Sequence, residues 1–193
     1  MKIRSKKVLK MKKYRLCSAI TFILLVLGVV SGCGYTTRSL LPASFKAIYV
    51  DGFKNLIKIS AEQTNMRMYR GYRPGMEIEI TKKVIDRFLF DGNLKVSQES
   101  GADLILKGEL TDFRRDALRY GVNDDVEEYR ITLVVNMELT EVKTGKTVWK
   151  ENGFAGETTY RTGGALVKSE SAAVTDAIQD LAIRIVDRTI EAW

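Results

Sequence analysis

Residues 129–139 read YRITLVVNMEL, and they alternate. Tyr129, Ile131, Leu133, Val135, Met137 and Leu139 fall on one side; Arg130, Thr132, Asn136 and Glu138 fall on the other. Successive side chains of an extended chain point to opposite faces, so this period of two predicts a strand that is dry on one side and wet on the other. Such a strand belongs to an antiparallel sheet with one covered face. Downstream, Glu141-Val142-Lys143-Thr144-Gly145-Lys146 predicts a hairpin turn, and residues 147–158 predict the returning strand. Upstream, residues 104–113 predict another strand, with Leu104, Leu106 and Leu110 on one side and Lys107, Glu109 and Thr111 towards the other. Between these two strands, Gly121-Val122-Asn123 and the acids after it predict a mobile, solvated loop.

Further out, the period changes from two to between three and four. Pro74-Gly75 predicts a turn into a helix, on which Ile80, Val84, Ile85, Phe88 and Leu89 share a face. Asp91-Gly92-Asn93 ends that helix, because Gly and Asn tolerate the left-handed backbone of a helix terminus. A last helix follows the Gly163-Gly164 link, with an apolar stripe of Val174, Ala177, Ile178, Leu181, Ile185 and Val186. Asp180 and Arg184 on its other side stand four apart with the acid first, the favourable order for an ion pair. Residues 47–50 predict a first strand, extending towards 53, and residues 94–96 a short lead-in. The expected fold class is α+β: two layers, with two helices packed on one face of a mostly antiparallel four-stranded sheet.

Charge divides the 193-residue chain in two. Residues 1–32 hold eight Lys and Arg and no acid, whereas residues 33–193 hold 23 basic and 24 acidic side chains, a net of −1. The overall +7 therefore belongs to the N-terminus, and no excess of cations remains to displace counterions from a nucleic acid. The chain has no histidine, which excludes Ser-His-Asp and Cys-His catalysis and His-ligated zinc. Cys17 and Cys33 are too few for an all-cysteine zinc site.

The uncharged run of residues 16–30, LCSAITFILLVLGVV, is too short to cross a bilayer and follows a basic cluster, the order of a secretory signal. Met11 offers an alternative start. Val30-Ser31-Gly32-Cys33 follows directly and resembles the bacterial lipoprotein box, which implies cleavage before Cys33 and acylation of its thiol. Several acyl chains hold a protein stably to a membrane, where a single chain does not. Gly34 rather than Asp after the cysteine resembles the sorting pattern of outer-membrane lipoproteins. The expected organisation is a signal peptide over 1–32, a lipidated tether over 33–46 and one domain over 47–193.

No catalytic constellation, metal site or cofactor motif is found. There is no phosphate loop, no GxGxxG opening a helix and no GxSxG. Asp112, Asp116, Asp124, Asp125 and Glu127 read as acids of a solvated loop, without calcium-ligand spacing. Two regions combine arginine, which grips phosphate oxygens bidentately, with aromatic residues suited to a protein or amphiphile contact. They are Arg67, Tyr69, Arg70, Tyr72 and Arg73, and then Arg114, Arg115 and Arg119. Lys143 and Lys146 at the hairpin turn are weaker candidates of the same kind.

The ordered set of segments resembles the LPS-assembly lipoprotein family LptE. It comprises Cys33-Gly34-Tyr35, Leu40-Leu41-Pro42, Pro74-Gly75-Met76-Glu77, an "ADL-x-L-x-G" strand at 102–108, Glu128-Tyr129-Arg130 and the "TGK-x-x-W" hairpin at 144–149. The resemblance implies two helices on a four-stranded sheet and no enzymatic activity. It also implies an outer-membrane lipoprotein that plugs the LptD β-barrel, supports its assembly and helps deliver lipopolysaccharide to the outer leaflet. The implied partners are that barrel, lipopolysaccharide and the membrane through the acyl chains, with no nucleic acid. The alternative is another small envelope lipoprotein, a cell-wall synthase activator or a secretion-pore component. Only about a dozen residues separate Cys33 from the first strand, which favours a partner close to the membrane.

Overall fold

In the computed structural model, which describes residues 41–42, 44–57 and 72–191, the alternating stretch is the centre of a 16-residue strand. In chain order the elements are β1 (Ala47–Val50), β2 (Lys54–Asn55), α1 (Met76–Asp91), β3 (Lys95–Val96), β4 (Leu104–Tyr120), β5 (Val126–Glu141), β6 (Thr147–Arg161) and α2 (Glu170–Glu191). The signal segment, Cys33, most of the tether, Arg67, Tyr69 and Arg70 lie outside the described residues.

The fold is α+β with two helices, as expected, but the sheet has six strands and is mixed rather than four-stranded and mostly antiparallel. Its order is β3-β1-β4-β5-β6, with β2 also on β4. Only β4-β5-β6 is antiparallel; β1 runs parallel to β3 and β4, and β2 runs parallel to β4. The parallel half has a physical cause. The connection from β1 to β3 passes through α1, and a helical crossover returns the chain in the same direction. β2 and β3 are two residues each, too short to show any alternation.

The dry face of β5 is the expected one: Ile131, Leu133, Val135, Met137 and Leu139 are buried in a single core with both helices. Each such side chain contributes about 1.5–3 kcal/mol relative to exposure. The α2 stripe is likewise buried throughout, with Ala173, Ala182 and Ile190 added. Asp180 and Arg184 form their ion pair at 2.9 Å. They also cap the outer edge of β6: Glu157 N–H donates to Asp180 at 2.9 Å, and Arg184 donates to Ala155 C=O at 3.5 Å. On α1 the buried residues are Met76, Ile80, Val84 and Phe88, whereas Ile85 is half-buried and Leu89 exposed. A strict four-residue repeat makes a narrow stripe, and Leu89 sits about 100° round from Phe88. Gly92, at φ 76°, closes the helix by donating to Phe88 C=O at 3.0 Å.

Two residues of the "ADL-x-L-x-G" segment explain themselves. Asp103 accepts the N–H groups of Lys46 (2.8 Å) and Ala47 (2.9 Å), which pins the start of β1 beside β4. Gly108 lies under the Phe53 ring, where an added Cβ would stand 2.1 Å from Phe53 Cε1. Phe53 itself is held by its N–H donating to Thr81 Oγ1 of α1 at 2.9 Å.

One irregularity governs the rest. In β4 the register slips between Leu110 and Asp112, leaving Thr111 as an extra residue whose hydroxyl donates to Val134 C=O at 3.1 Å. A bulge of one residue exchanges the two faces of a strand. Before it, Leu104, Leu106 and Leu110 point into the core; after it, Phe113 and Arg115 do.

Candidate functional site

The described candidates sit at opposite ends of the sheet. Lys143 and Lys146 occupy the β5–β6 turn beside the start of β4. Tyr72 and Arg73 precede α1, and Arg114, Arg115 and Arg119 occupy the far half of β4. A strand of 17 residues is about 50 Å long, so the two groups do not share a site.

At the far end the segment read as a solvated loop is mostly strand. β4 runs on to Tyr120, β5 begins at Val126, and Gly121–Asp125 is a hydrogen-bonded turn in which Gly121 N–H donates to Asp125 C=O at 2.7 Å. Arg115 is buried here, contrary to the exposed-loop expectation. It pairs with Glu170 at the start of α2, and its guanidinium lies 4.1 Å from the centroid of the Tyr129 ring. Tyr129 stacks on Tyr160 at 5.6 Å, and the Tyr160 hydroxyl donates to Glu170 at 3.0 Å. Burial, reinforced by the Glu170 carboxylate, pushes the Tyr160 hydroxyl up to about 12. This cluster fastens the hairpin to α2, and Arg115 is engaged within the protein.

The other described candidate arginines are partly exposed, each beside a carboxylate. Arg114 lies 3.3 Å from Asp112, Arg119 2.5 Å from Glu128, and Arg73 2.8 Å from Glu79 with Ser171 also in reach. Tyr72 accepts a bond from Asn55 at 2.7 Å and tilts against Phe113. Beyond the Arg115 cluster, Leu118, Tyr120, Val122, Leu166 and Val167 are exposed. The loop carrying Leu166 and Val167 is stitched to β5, with Thr162 donating to Glu127 C=O (3.0 Å) through its N–H and to Val126 C=O (2.8 Å) through its hydroxyl. Between loop and strands lies an open cleft of about 380 Å³, lined by Arg119 and Arg161 together with Asp125 and Glu127. Arg161 has no ion pair among the described residues.

Sequence reasoning missed Arg161, Tyr160 and Glu170, which meet only through tertiary structure. It also missed a second polar hollow of about 140 Å³ on the uncovered sheet face, containing Lys54, Lys107, Glu138 and Lys150. There the Thr147 hydroxyl, with Lys150 and Lys107 nearby, holds the Glu138 carboxyl below its ordinary value. The alternation of β4 and β5 already placed Lys107 and Glu138 on the wet side; their register as direct partners was the missing piece. Among the described residues, no three acids converge on a point able to hold a metal ion.

Comparison with known families is decisive at the level of the whole domain: the profile described as "LptE: Lipopolysaccharide-assembly" matches residues 45–189. The chain belongs to the LptE family. LptE proteins are lipoproteins of lipopolysaccharide assembly and have no enzymatic activity. Among solved structures, a Xanthomonas campestris protein superposes with a TM-score of 0.51 at 14% identity, over 80% of this chain and 92% of that one. A hypothetical protein from Chlamydia trachomatis gives 0.52 at 10% identity, over 75% and 95%. The rare lipoprotein B of Shewanella oneidensis gives 0.41 at 15% identity, over 72% and 89%. At these identities the first two likenesses show the fold alone, and the third, with a TM-score below 0.5, carries no argument. No curated protein sequence matches. Within this LptE chain, Asp103 and Gly108 serve the packing of β1 and Phe53 against β4.

Proposed function

We propose that this LptE-family chain is an outer-membrane lipoprotein, acylated at Cys33, with the signal peptide, tether and single domain set out above. In this reading it plugs and supports the assembly of an LptD-type β-barrel and assists delivery of lipopolysaccharide to the outer leaflet. The observation that carries the reading beyond the family is the far end of the β4–β5 hairpin. There Tyr120, Leu118, Val122, Leu166 and Val167 are exposed beside Arg114, Arg119 and Arg161. Tyr and Arg dominate protein contacts, and arginine suits phosphate groups. A barrel lumen is polar, so mixed charge around an apolar tip fits such a host. Arg67, Tyr69 and Arg70, which lie outside the described residues, stay within the proposal as contact candidates. The Lys143–Lys146 turn is remote from it.

Photo-crosslinking tests the assignment. A photoreactive residue at Tyr120 or Leu166, in the full lipidated protein in living cells, is expected to give an adduct the size of a large barrel protein. Absence of that adduct at both positions, with the protein present at normal level, contradicts the reading.

A further inference from the structure

The end of the domain where the chain arrives from its N-terminus has a surface that the barrel contact does not use. Lys46 C=O accepts Lys95 N–H at 2.8 Å, Lys46 and Ala47 donate to Asp103, and Asp103 C=O accepts Val142 N–H at 2.9 Å. These bonds bring the incoming chain, the start of β3 and the β5–β6 turn to one edge. The C-terminus of α1 lies at that edge too, because only Gly92, Asn93 and Leu94 separate it from β3. Leu89 and Phe90 there are 63% and 81% exposed, and Val142 is 42% exposed. Around them Lys46, Lys95, Lys143 and Lys146 are exposed, and none has an ion pair among the described residues. Of the acids at this edge, Asp91 accepts from Asn93, Glu141 from the Thr144 hydroxyl and Asp103 from the two β1 N–H groups, while Glu99, exposed in the turn before β4, is outnumbered by the four lysines.

Apolar side chains ringed by unpaired lysines are the chemistry of an interfacial contact, the former entering the acyl boundary and the latter meeting anionic headgroups. The length of chain outside the described residues selects the occupant. Leu41 packs against the core, and the eight residues from Cys33 to Leu41 reach at most about 28 Å. The geometry points to this edge as a seat on the phospholipid leaflet that holds the acyl anchor, with Phe90 and Leu89 inserted and the four lysines on the headgroups. The inference rests on the acylation of Cys33 proposed above. The β4–β5 tip is thereby turned away from that leaflet.

The test uses the full lipidated protein in vesicles of phosphatidylethanolamine and phosphatidylglycerol containing a spin-labelled lipid. One fluorophore is placed on Asn93→Cys, beside Phe90, and in a second protein on Val122→Cys at the opposite tip. At least threefold stronger quenching at 93 than at 122 is expected, reduced by Leu89→Ser with Phe90→Ser and, separately, by Lys95→Glu with Lys143→Glu and Lys146→Glu. Equal quenching at the two positions, or stronger quenching at 122, overturns the inference while the acyl mass on the mature chain still supports the anchor. A mature chain without that mass overturns the anchor reading and the inference together.

Discussion

The two halves of β4 obey opposite rules. From Leu104 to Leu110 the even-numbered side chains enter the core, and at Phe113 and Arg115 the odd-numbered ones do. Thr111 alone makes the exchange. Its consequence is that two adjacent arginines have different fates. Arg114 stays in solvent beside Asp112, while Arg115 is buried against Tyr129 and Glu170. The comparison shows that a pair of like residues says little about binding until the phase of the strand is known.

The most severe way to break this difference is to remove its cause. Deleting Thr111 forces either the first or the second half of β4 out of phase, and a loss of more than about 4 kcal/mol is expected from the displaced core and the broken ion pair. Urea unfolding of the lipidated protein in detergent measures it. Next come the two arginines themselves. Arg115→Ala leaves Glu170 and Tyr160 without their cation and is expected to cost about 3 kcal/mol, somewhat moderated because Glu170 is partly exposed. Arg114→Ala is expected to cost less than about 0.5 kcal/mol. Equal effects in thermal melts would refute the assignment of faces.

A pH titration sharpens the same cluster. Tyr160 holds its proton more tightly folded than unfolded, so its contribution is complete below pH 10 and is lost as the pH climbs from 10 towards about 12. A shift of that size is on the order of 3 kcal/mol. Tyr160→Phe should flatten this part of the alkaline unfolding profile, and an unchanged slope would show that the hydroxyl is not held as described. The smallest stability effect is expected at the outer tip. Arg119→Ala with Tyr120→Ala should move the melting temperature by no more than about 2 °C, yet reduce recovery of the barrel partner at least fivefold in pull-downs.

What the sequence made legible follows the same division. The β5 alternation and the α2 stripe were readable because each runs uninterrupted for several periods against one core. The parallel pairing was not: residues 47–50 and 94–96 read as strands, but their direction is set by the α1 crossover, and β2, two residues long, is a strand only because β4 lies beside it. The bulge was invisible because Thr111 is as ordinary on a wet face as in a bulge. Its hydrogen bond to Val134 C=O exists only once β5 is in place. For the candidate site, composition singled out Arg114, Arg119, Tyr72 and Arg73 as contact candidates; the three arginines are partly exposed, whereas Tyr72 packs half-buried against the core. It also promoted Arg115, whose partners Tyr129, Tyr160 and Glu170 are brought to it by three separate elements. Gly108 was quoted as a motif residue, but its reason, the Phe53 ring above it, is likewise a tertiary fact.

The central claim is a lipid-anchored partner of a large outer-membrane barrel, and affinity purification of the full lipidated protein from outer membranes tests it most directly. The account predicts recovery of a single large β-barrel protein at one-to-one stoichiometry. Recovery of the protein alone from those membranes, or in the soluble fraction without its acyl chains, would contradict it.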